Sequence, residues 1–184
     1  MELNESVAQS RRVYEGRVVN LRVDTVVLPD GKAATREIVE HSGAIAAVPI
    51  APDGRVLLVR QFRLAAGGPL LEVPAGGMEI GEDPAECTVR ECAEEIGFVP
   101  GKLTPLFSAW VAPGYATEII HAFLAEELAP NRKDGDSDEF VEVVALDWDA
   151  VETAIQDGVI QDMKSIAALE RARRILESRT SPKA

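Results

Sequence analysis

The residues best suited to chemistry lie between Gly76 and Phe98, where acidic side chains recur at fixed intervals. Carboxylate oxygens are hard ligands that suit Mg²⁺ or Mn²⁺ rather than zinc, and such an ion leaves room for water and a substrate phosphate. The spacing therefore indicates a metal site able to act on a polyphosphate. The charged residues concerned are Glu82, Arg90, Glu91, Glu94 and Glu95.

A helix is predicted to hold most of these side chains. Asp83 suits the N-cap position and Pro84 the first helical position, while Gly97 suits a left-handed end. The predicted helix runs from about 84 to 96. Its boundaries enclose the densest part of the acidic run.

On that helix Glu91 and Glu95 lie one turn apart, with Glu94 beside them. Like charges at this spacing repel one another, so the arrangement favours a divalent cation that neutralises them. An acidic helix face exposed to solvent is the alternative interpretation, because most charge runs are of that kind.

The rest of the chain has a mixed α/β pattern. Turn signals at Pro29-Asp30-Gly31 and Pro52-Asp53-Gly54 join the first two pairs of predicted strands. Helices are predicted at 148–157 and 162–177. The predicted strands cover 17–28, 34–41, 44–51, 55–62, 70–73, 103–111, 118–125 and 140–146, and 128–138 is predicted to be a surface loop.

Composition limits the classes of partner. The 184 residues are enough for one domain with a substantial core, and the net charge is −12. A binder of nucleic acid needs a basic surface, which this charge argues against. We find no signal peptide and no apolar run long enough to cross a membrane, so we expect a cytoplasmic protein with neither nucleic acid nor membrane as partner.

The run from Gly76 to Phe98 matches the Nudix box, G-x5-E-x7-R-E-U-x-E-E-x-G-U, at every fixed position. From about 14 to 176 the chain resembles the ADP-ribose pyrophosphatase branch of the Nudix hydrolases. The motifs outside the box that carry this resemblance are 36–44, the Arg60-Gln61-Phe62-Arg63 element, Pro113 at 16 residues after Gly97, and the acidic segment 136–142.

This resemblance implies an α/β fold, an α/β/α sandwich with a mixed sheet, together with an N-terminal antiparallel strand region. Residues 1–43 would form the strand region, 44–178 the Nudix domain and 179–184 a tail. Members of the branch are usually homodimers that exchange the N-terminal strand region, so we expect residues 1–43 to form a dimer.

The resemblance also implies a role for each residue of the metal site. Glu91 and Glu95 would ligate Mg²⁺, for which Mn²⁺ is a substitute, together with the backbone carbonyl of Ala75. Glu94 would be a further ligand or would orient water. Glu82 would support the metal shell, and Arg90 would hold the glutamates by charge pairing.

By the same resemblance, Glu139 would activate or position the attacking water. The choice of Glu139 is open, because the same acidic segment contains other candidates. An ordinary solvated loop is the alternative interpretation of the whole segment. The other candidates are Asp134, Asp136, Asp138 and Glu142.

The substrate-binding residues implied by the resemblance are Glu37, Arg60, Arg63, Pro113 and Tyr115. Arg60 and Arg63 differ in parity along one predicted strand, so they should point to opposite faces, and we expect only one to reach the pocket of its own subunit. Tyr115 follows a Pro-Gly turn and is a candidate contact for the terminal ribose.

The activity implied is Mg²⁺-dependent hydrolysis of ADP-ribose to AMP and ribose 5-phosphate. Two alternatives remain. One is a pyrophosphatase for another nucleotide sugar such as GDP-mannose. The other, from a different class, is a non-catalytic domain that senses nucleotides, against which the complete set of glutamates argues.

Overall fold

The computed structural model describes residues 3–133 and 140–180. Contacts divide the chain into two compact units. The first comprises Met1–Gly43 and Ala109–Ile119, and the second comprises Ala44–Ser108 and Ile120–Ala184. The domain limits drawn from the sequence, 1–43, 44–178 and 179–184, stay a prediction.

The first unit contains an antiparallel sheet with the strand order β1-β2-β3. Its strands are β1 (Ser6–Glu15), β2 (Asn20–Val27) and β3 (Ala33–Glu40). Gly31 lies in the β2–β3 turn with a φ of 82°, a left-handed conformation that favours glycine. The sequence predicted this turn but missed β1, because all ten residues of β1 are exposed and leave no alternating apolar pattern.

The second unit is built on two sheets, with the orders β7-β4-β9-β8 and β10-β5-β6. Strand β4 pairs in parallel with β9 and antiparallel with β7, so the first sheet is mixed, as predicted. The strands are β4 (Ala44–Pro49), β5 (Val56–Arg63), β6 (Gly68–Glu72), β7 (Ala75–Gly77), β8 (Phe98–Trp110), β9 (Ile119–Pro130) and β10 (Val141–Leu146).

Helices cover both faces of β4. They are α1 (Pro84–Glu91), which continues as a π-helical turn over Cys92–Ile96, α2 (Trp148–Gln156) and α3 (Met163–Thr180). Ala46 and Val48 pack in one buried cluster with Leu169 of α3, whereas Ala47 packs in a second cluster with Cys92. Successive side chains of a strand point to opposite faces, so the sheet lies between two helical layers. The predicted α/β/α arrangement is confirmed.

Several details of the predicted elements were wrong. The segments 44–51 and 55–62 are joined at the predicted turn, where Gly54 has a φ of 88°, but β4 and β5 belong to different sheets and pair only at a single bridge, Ile50↔Val56. Strand β4 is buried on both faces, which suits a central position with a parallel partner. Strand β9 also extends to Pro130, into the predicted surface loop.

The C-terminal helix continues to Thr180, beyond the predicted end at 177. None of the helices in the described residues is long and apolar enough to span a membrane.

Candidate active site

The acidic helix begins where the sequence predicts. Pro84 is the first residue of α1, and the carboxylate of Asp83 accepts hydrogen bonds from the backbone amides of Ala85, at 2.8 Å, and Glu86, at 3.3 Å. These bonds satisfy amides that have no partner inside the helix. The cap therefore fixes where the helix begins.

The end of the helix differs from the predicted one. The α-helical pattern stops at Glu91, and Cys92–Ile96 forms a π-helical turn that ends at Gly97, whose φ is 76°. The predicted left-handed stop is confirmed, but the continuous α-helix is not. Single π turns inside helices are frequent at functional sites, and this one carries Glu94 and Glu95.

Strand β7 approaches α1 closely at Gly76. A Cβ atom placed on Gly76 would overlap the carboxylate of Glu91, whereas a Cβ on the next residue, Gly77, would meet no atom within 4 Å. Glu91 is only 8% exposed. The first glycine of the box is therefore needed because a glutamate carboxylate occupies the space of a side chain there.

Arg90 connects three of the glutamates through one guanidinium. Its Nη1 lies 2.6 Å from Oε1 of Glu91 and 3.2 Å from Oε2 of Glu94. Its Nε and Nη2 donate to the two oxygens of Glu82 at 2.9 and 3.0 Å. Nη2 also donates to the carbonyl of Gly77 at 3.1 Å, which ties strand β7 to the helix.

Glu82 is held on both of its oxygens. Besides the two bonds from Arg90, it accepts a hydrogen bond from the backbone amide of Glu79 at 2.8 Å. The hydrogen bonds from Arg90 are the main cause that lowers the pKa of Glu82 to about 2, so the residue is ionised at neutral pH. Its contacts are those of a residue that orients Arg90, and its support of a metal shell stays a prediction.

The carboxylate of Glu95 reaches the start of β7, where its Oε2 accepts a hydrogen bond from the amide of Ala75 at 3.0 Å. Glu95 is 6% exposed. Glu91 and Glu95 are thus both brought against β7, one at Gly76 and the other at Ala75. The structure therefore gathers the five predicted metal-site residues, together with Arg90, around one strand and one helix.

The chemistry of this donor set fits a hard divalent cation. Within residues 3–133 and 140–180, no group of three or more acidic, histidine or cysteine side chains is placed to hold a metal ion by itself. Mg²⁺ keeps several waters and is bound by one or two carboxylates plus substrate phosphates. A site with two buried glutamates and the carbonyl of Ala75 is consistent with that open coordination.

Arg60 and Arg63 have different partners, as their parity predicts. Nη1 of Arg60 lies 2.9 Å from Oε2 of Glu142, and this pair is exposed. Nε of Arg63 lies 2.7 Å from Oε2 of Glu72, whose side chain is buried. Arg60 also lines an open pocket of about 350 Å³ together with Gln61, Phe62, Pro69, Phe140, Val141 and Glu142.

The other predicted substrate contacts belong to the first unit. Glu37 is an exposed residue of β3, and Pro113 lies in the turn before Tyr115, which is 59% exposed. The carbonyl of Tyr115 accepts a hydrogen bond from the amide of Val39 at 2.7 Å, so this loop is fixed to the end of β3.

Glu139 lies outside the described residues, as do the alternatives Asp134, Asp136 and Asp138. The described chain resumes at Phe140, which is 85% exposed.

Sequence reasoning missed Glu72, which is 3% exposed and holds Arg63. A signal was present, because a single acid lies within the apolar run Leu70-Leu71-Glu72-Val73. It also passed over Gln61, whose Nε2 is buried without a hydrogen-bond partner among the described residues. A buried polar atom of this kind is suited to meet a ligand.

Two family models match the chain. A NUDIX domain matches residues 33–169, and a nucleoside diphosphate sugar hydrolase N-terminal domain matches residues 5–39. A solved structure described as an ADP compounds hydrolase superimposes with a TM-score of 0.87 over 98% of both chains, at 22% sequence identity. At that identity, the likeness concerns the fold.

Closer sequence relatives cover most of the chain. An ADP-ribose pyrophosphatase of Bacillus subtilis is 37% identical over 170 residues, which is 91% of this chain and 92% of that protein. A methanol dehydrogenase activator of Bacillus methanolicus is also 37% identical, over 90% of this chain and 91% of its own length. A GDP-mannose pyrophosphatase of Yersinia enterocolitica is 38% identical over 74% of this chain and 76% of its own length.

Proposed function

Because this chain belongs to the Nudix hydrolase family, we propose that it is a Mg²⁺-dependent pyrophosphatase that splits ADP-ribose into AMP and ribose 5-phosphate. Nudix hydrolases generally use a divalent metal, and the selection of Mg²⁺ belongs to the proposal. The observation that carries it is the set of carboxylates beside strand β7. Arg90 and the amide of Ala75 bond to them, and Gly76 leaves space for the carboxylate of Glu91.

In this proposal Glu91, Glu95 and the carbonyl of Ala75 hold the ion, and Glu94 is a further ligand or orients water. The ion supplies neutralisation of the pyrophosphate oxygens, which otherwise repel a nucleophile, and stabilises charge in the transition state. Arg90 keeps three of the glutamates in place, because its guanidinium pairs with Glu82, Glu91 and Glu94.

The attack itself needs a group that handles water. We assign this role to Glu139, which would orient the water or take its proton while the phosphates are held at the metal. This assignment rests on the resemblance of segment 136–142 to the acidic loop of the ADP-ribose pyrophosphatase branch.

Glu37, Pro113 and Tyr115 are proposed to bind the nucleotide sugar, together with Arg63. The support for Arg63 is its geometry, because Nε is bonded to Glu72 while the side chain remains 39% exposed. Arg60 is the weaker candidate, since it is paired with Glu142 in an exposed contact.

We further propose that the protein is a homodimer in which β1 is covered by a second copy. In support, every residue of β1 is exposed, including Val7 and Tyr14 at 58% each. Apolar side chains on an uncovered edge strand favour association.

A GDP-mannose pyrophosphatase is the second candidate function, because a protein of that name is 38% identical over 74% of this chain. The experiment that tests the proposal identifies the products. Incubation of ADP-ribose with the protein and Mg²⁺ should give AMP and ribose 5-phosphate in equal amounts, and a chelator should stop the reaction. Intact ADP-ribose in the presence of Mg²⁺ or Mn²⁺ would contradict the proposal.

A further inference from the structure

Glu72, the last residue of β6, is an acid buried within an apolar strand. Its side chain is 4% exposed, and two cations share its carboxylate. Oε1 lies 2.9 Å from Nζ of Lys164, and Oε2 lies 2.7 Å from Nε of Arg63. Burying a carboxylate is costly unless its oxygens are paired, and here each oxygen of Glu72 has a cationic partner.

Lys164, the first of these two cations, is held in place by further contacts. Nζ of Lys164 also lies 2.8 Å from Oδ1 of Asp162, and the same oxygen accepts a hydrogen bond from the amide of Ser165 at 3.0 Å. The hydroxyl of Ser165 in turn accepts a hydrogen bond from the amide of Val73 at 2.9 Å. The start of α3 and the end of β6 thus form one fixed framework behind the carboxylate of Glu72.

Only part of the guanidinium of Arg63 is hydrogen-bonded to Glu72. Glu72 holds Arg63 through Nε, and no acceptor among residues 3–133 and 140–180 is bonded to its two Nη groups. Val59, four positions earlier on β5, packs with Cys92 of the π turn, and strand alternation places Arg63 on that same face. The free part of the guanidinium can therefore receive two oxygens of an anion as a fork.

A second glutamate–arginine pair in the chain, Glu82 with Arg90, has a different arrangement. Both oxygens of Glu82 accept hydrogen bonds from Arg90, one from Nε and one from Nη2, so both of these donor groups are occupied. Lys164 takes one oxygen of Glu72 and leaves the other for Nε of Arg63. Without the lysine, the freed carboxylate oxygen would compete with an incoming anion for Nη2 of Arg63.

We infer that Lys164 and Glu72 are positioning residues that orient the guanidinium of Arg63 for a phosphate oxygen of the nucleotide-sugar substrate. This inference rests on the proposed function, since it concerns the same substrate pocket. Neither residue touches the substrate. Lys164 acts through Glu72, and Glu72 acts through Arg63.

The test is a steady-state comparison of Lys164→Met with wild type and with Lys164→Arg. Lys164→Met should raise KM for ADP-ribose about tenfold, the scale of one charge-assisted contact, with kcat within about twofold. Lys164→Arg restores the charge and should return KM to near the wild-type value. Lys102→Met removes an exposed lysine paired with Glu126 and is the matched control, with no expected change.

A double-mutant cycle separates positioning from general stability. If Lys164 acts through Arg63, then Lys164→Met should add little to the KM of Arg63→Met. Full additivity of the two changes, or an unchanged KM in Lys164→Met, would overturn the inference. If Lys164→Met does not fold, Glu72→Gln gives the same test, because the neutral amide also removes the anionic anchor of Arg63, and an unchanged KM would again overturn it.

A readout that needs no substrate distinguishes this inference from the proposed function. In protein labelled with ¹⁵N-arginine, the Nε–H signal of Arg63, assigned from its loss in Arg63→Lys, should shift in Lys164→Met and remain unchanged in Lys102→Met. If the signal shifts in Lys164→Met but the wild-type protein does not cleave ADP-ribose, the network of Lys164, Glu72 and Arg63 is supported and the proposed substrate is rejected. An unshifted signal would reject the network, whatever the activity.

Discussion

At the scale of single residues, the site depends on how Arg90 distributes its donors. One guanidinium reaches Glu82, Glu91 and Glu94, so the repulsion among neighbouring carboxylates is offset before any ion binds. Glu95 is held separately, by the amide of Ala75. A carboxylate kept ionised in a fixed place is the form in which it can ligate a metal.

Substitution of either buried glutamate tests the metal assignment. Glu91→Gln or Glu95→Gln should lower kcat at least about a hundredfold, because each change removes an anionic ligand and several kcal/mol of metal-borne stabilisation. Turnover is measured at limiting Mg²⁺. Glu86→Gln, an exposed position on the same helix, is the matched control and should retain activity. Near-normal turnover in both variants would refute the assignment.

The water-handling residue has its own prediction. Glu139→Gln should lower kcat by about 10²–10⁴ and leave the affinity for substrate largely intact. Asp138→Asn and Glu142→Gln should do much less. If one of these controls shows the larger loss, the role belongs to that residue.

The acidic run allowed the site residues to be named from the sequence because their spacing follows from helix geometry. The same reasoning could not find Lys164, which lies 92 positions from Glu72 and meets it only after folding. Nor could it show that both oxygens of Glu82 are taken by Arg90. Such contacts depend on side-chain directions that no local pattern records.

At the scale of elements, the approach of β7 to α1 is the critical packing contact. A methyl group fits at Gly77 but not at Gly76, although the two residues are adjacent. The Nudix box requires a glycine at position 76 and leaves position 77 variable. The structure gives the cause, which is that the carboxylate of Glu91 lies against Gly76.

Gly76→Ala should therefore displace Glu91 and lower kcat about a hundredfold, the effect expected for a shift of about 1 Å in a catalytic group. Gly77→Ala is the matched control and should keep nearly full activity. Both variants are compared by turnover and by urea unfolding. Equal activity of the two alanine variants would contradict the explanation given for Gly76.

Elements with local signals were predictable, and those decided by distant partners were not. The cap at Asp83 and the stop at Gly97 are set by nearby residues, and both were predicted. The separation of β4 from β5 is set by the parallel pairing of β4 with β9, some 75 residues away in the chain. The π turn likewise has no sequence signal of the kind that capping residues provide.

At the scale of the whole molecule, the acidic composition and the exposed strand β1 have opposite effects on self-association. A net charge of −12 keeps copies of a protein apart, whereas the uncovered apolar residues of β1 favour their association. In the proposed dimer, a second copy covers the apolar residues of β1, and the rest of the acidic surface stays exposed.

Light scattering should therefore give a mass of twice the 19.8 kDa of the chain. Val7→Glu, which places a charge on exposed β1, should weaken the dimer and lower activity together. Val159→Glu, at an exposed position in the second unit, is the matched control. A fully active monomer at the assay concentration would contradict the proposed assembly.

The most direct test of the proposed activity compares substrates at equal Mg²⁺. Sites that hydrogen-bond a particular group discriminate strongly against ligands that lack it. With ADP-ribose, GDP-mannose and ATP in parallel, and Glu91→Gln as the inactive control, kcat/KM for ADP-ribose should exceed that for GDP-mannose at least about tenfold, and ATP should be a poor substrate. A higher kcat/KM for GDP-mannose would contradict the assignment to ADP-ribose, and no cleavage of either nucleotide sugar with Mg²⁺ or Mn²⁺ would contradict catalysis itself.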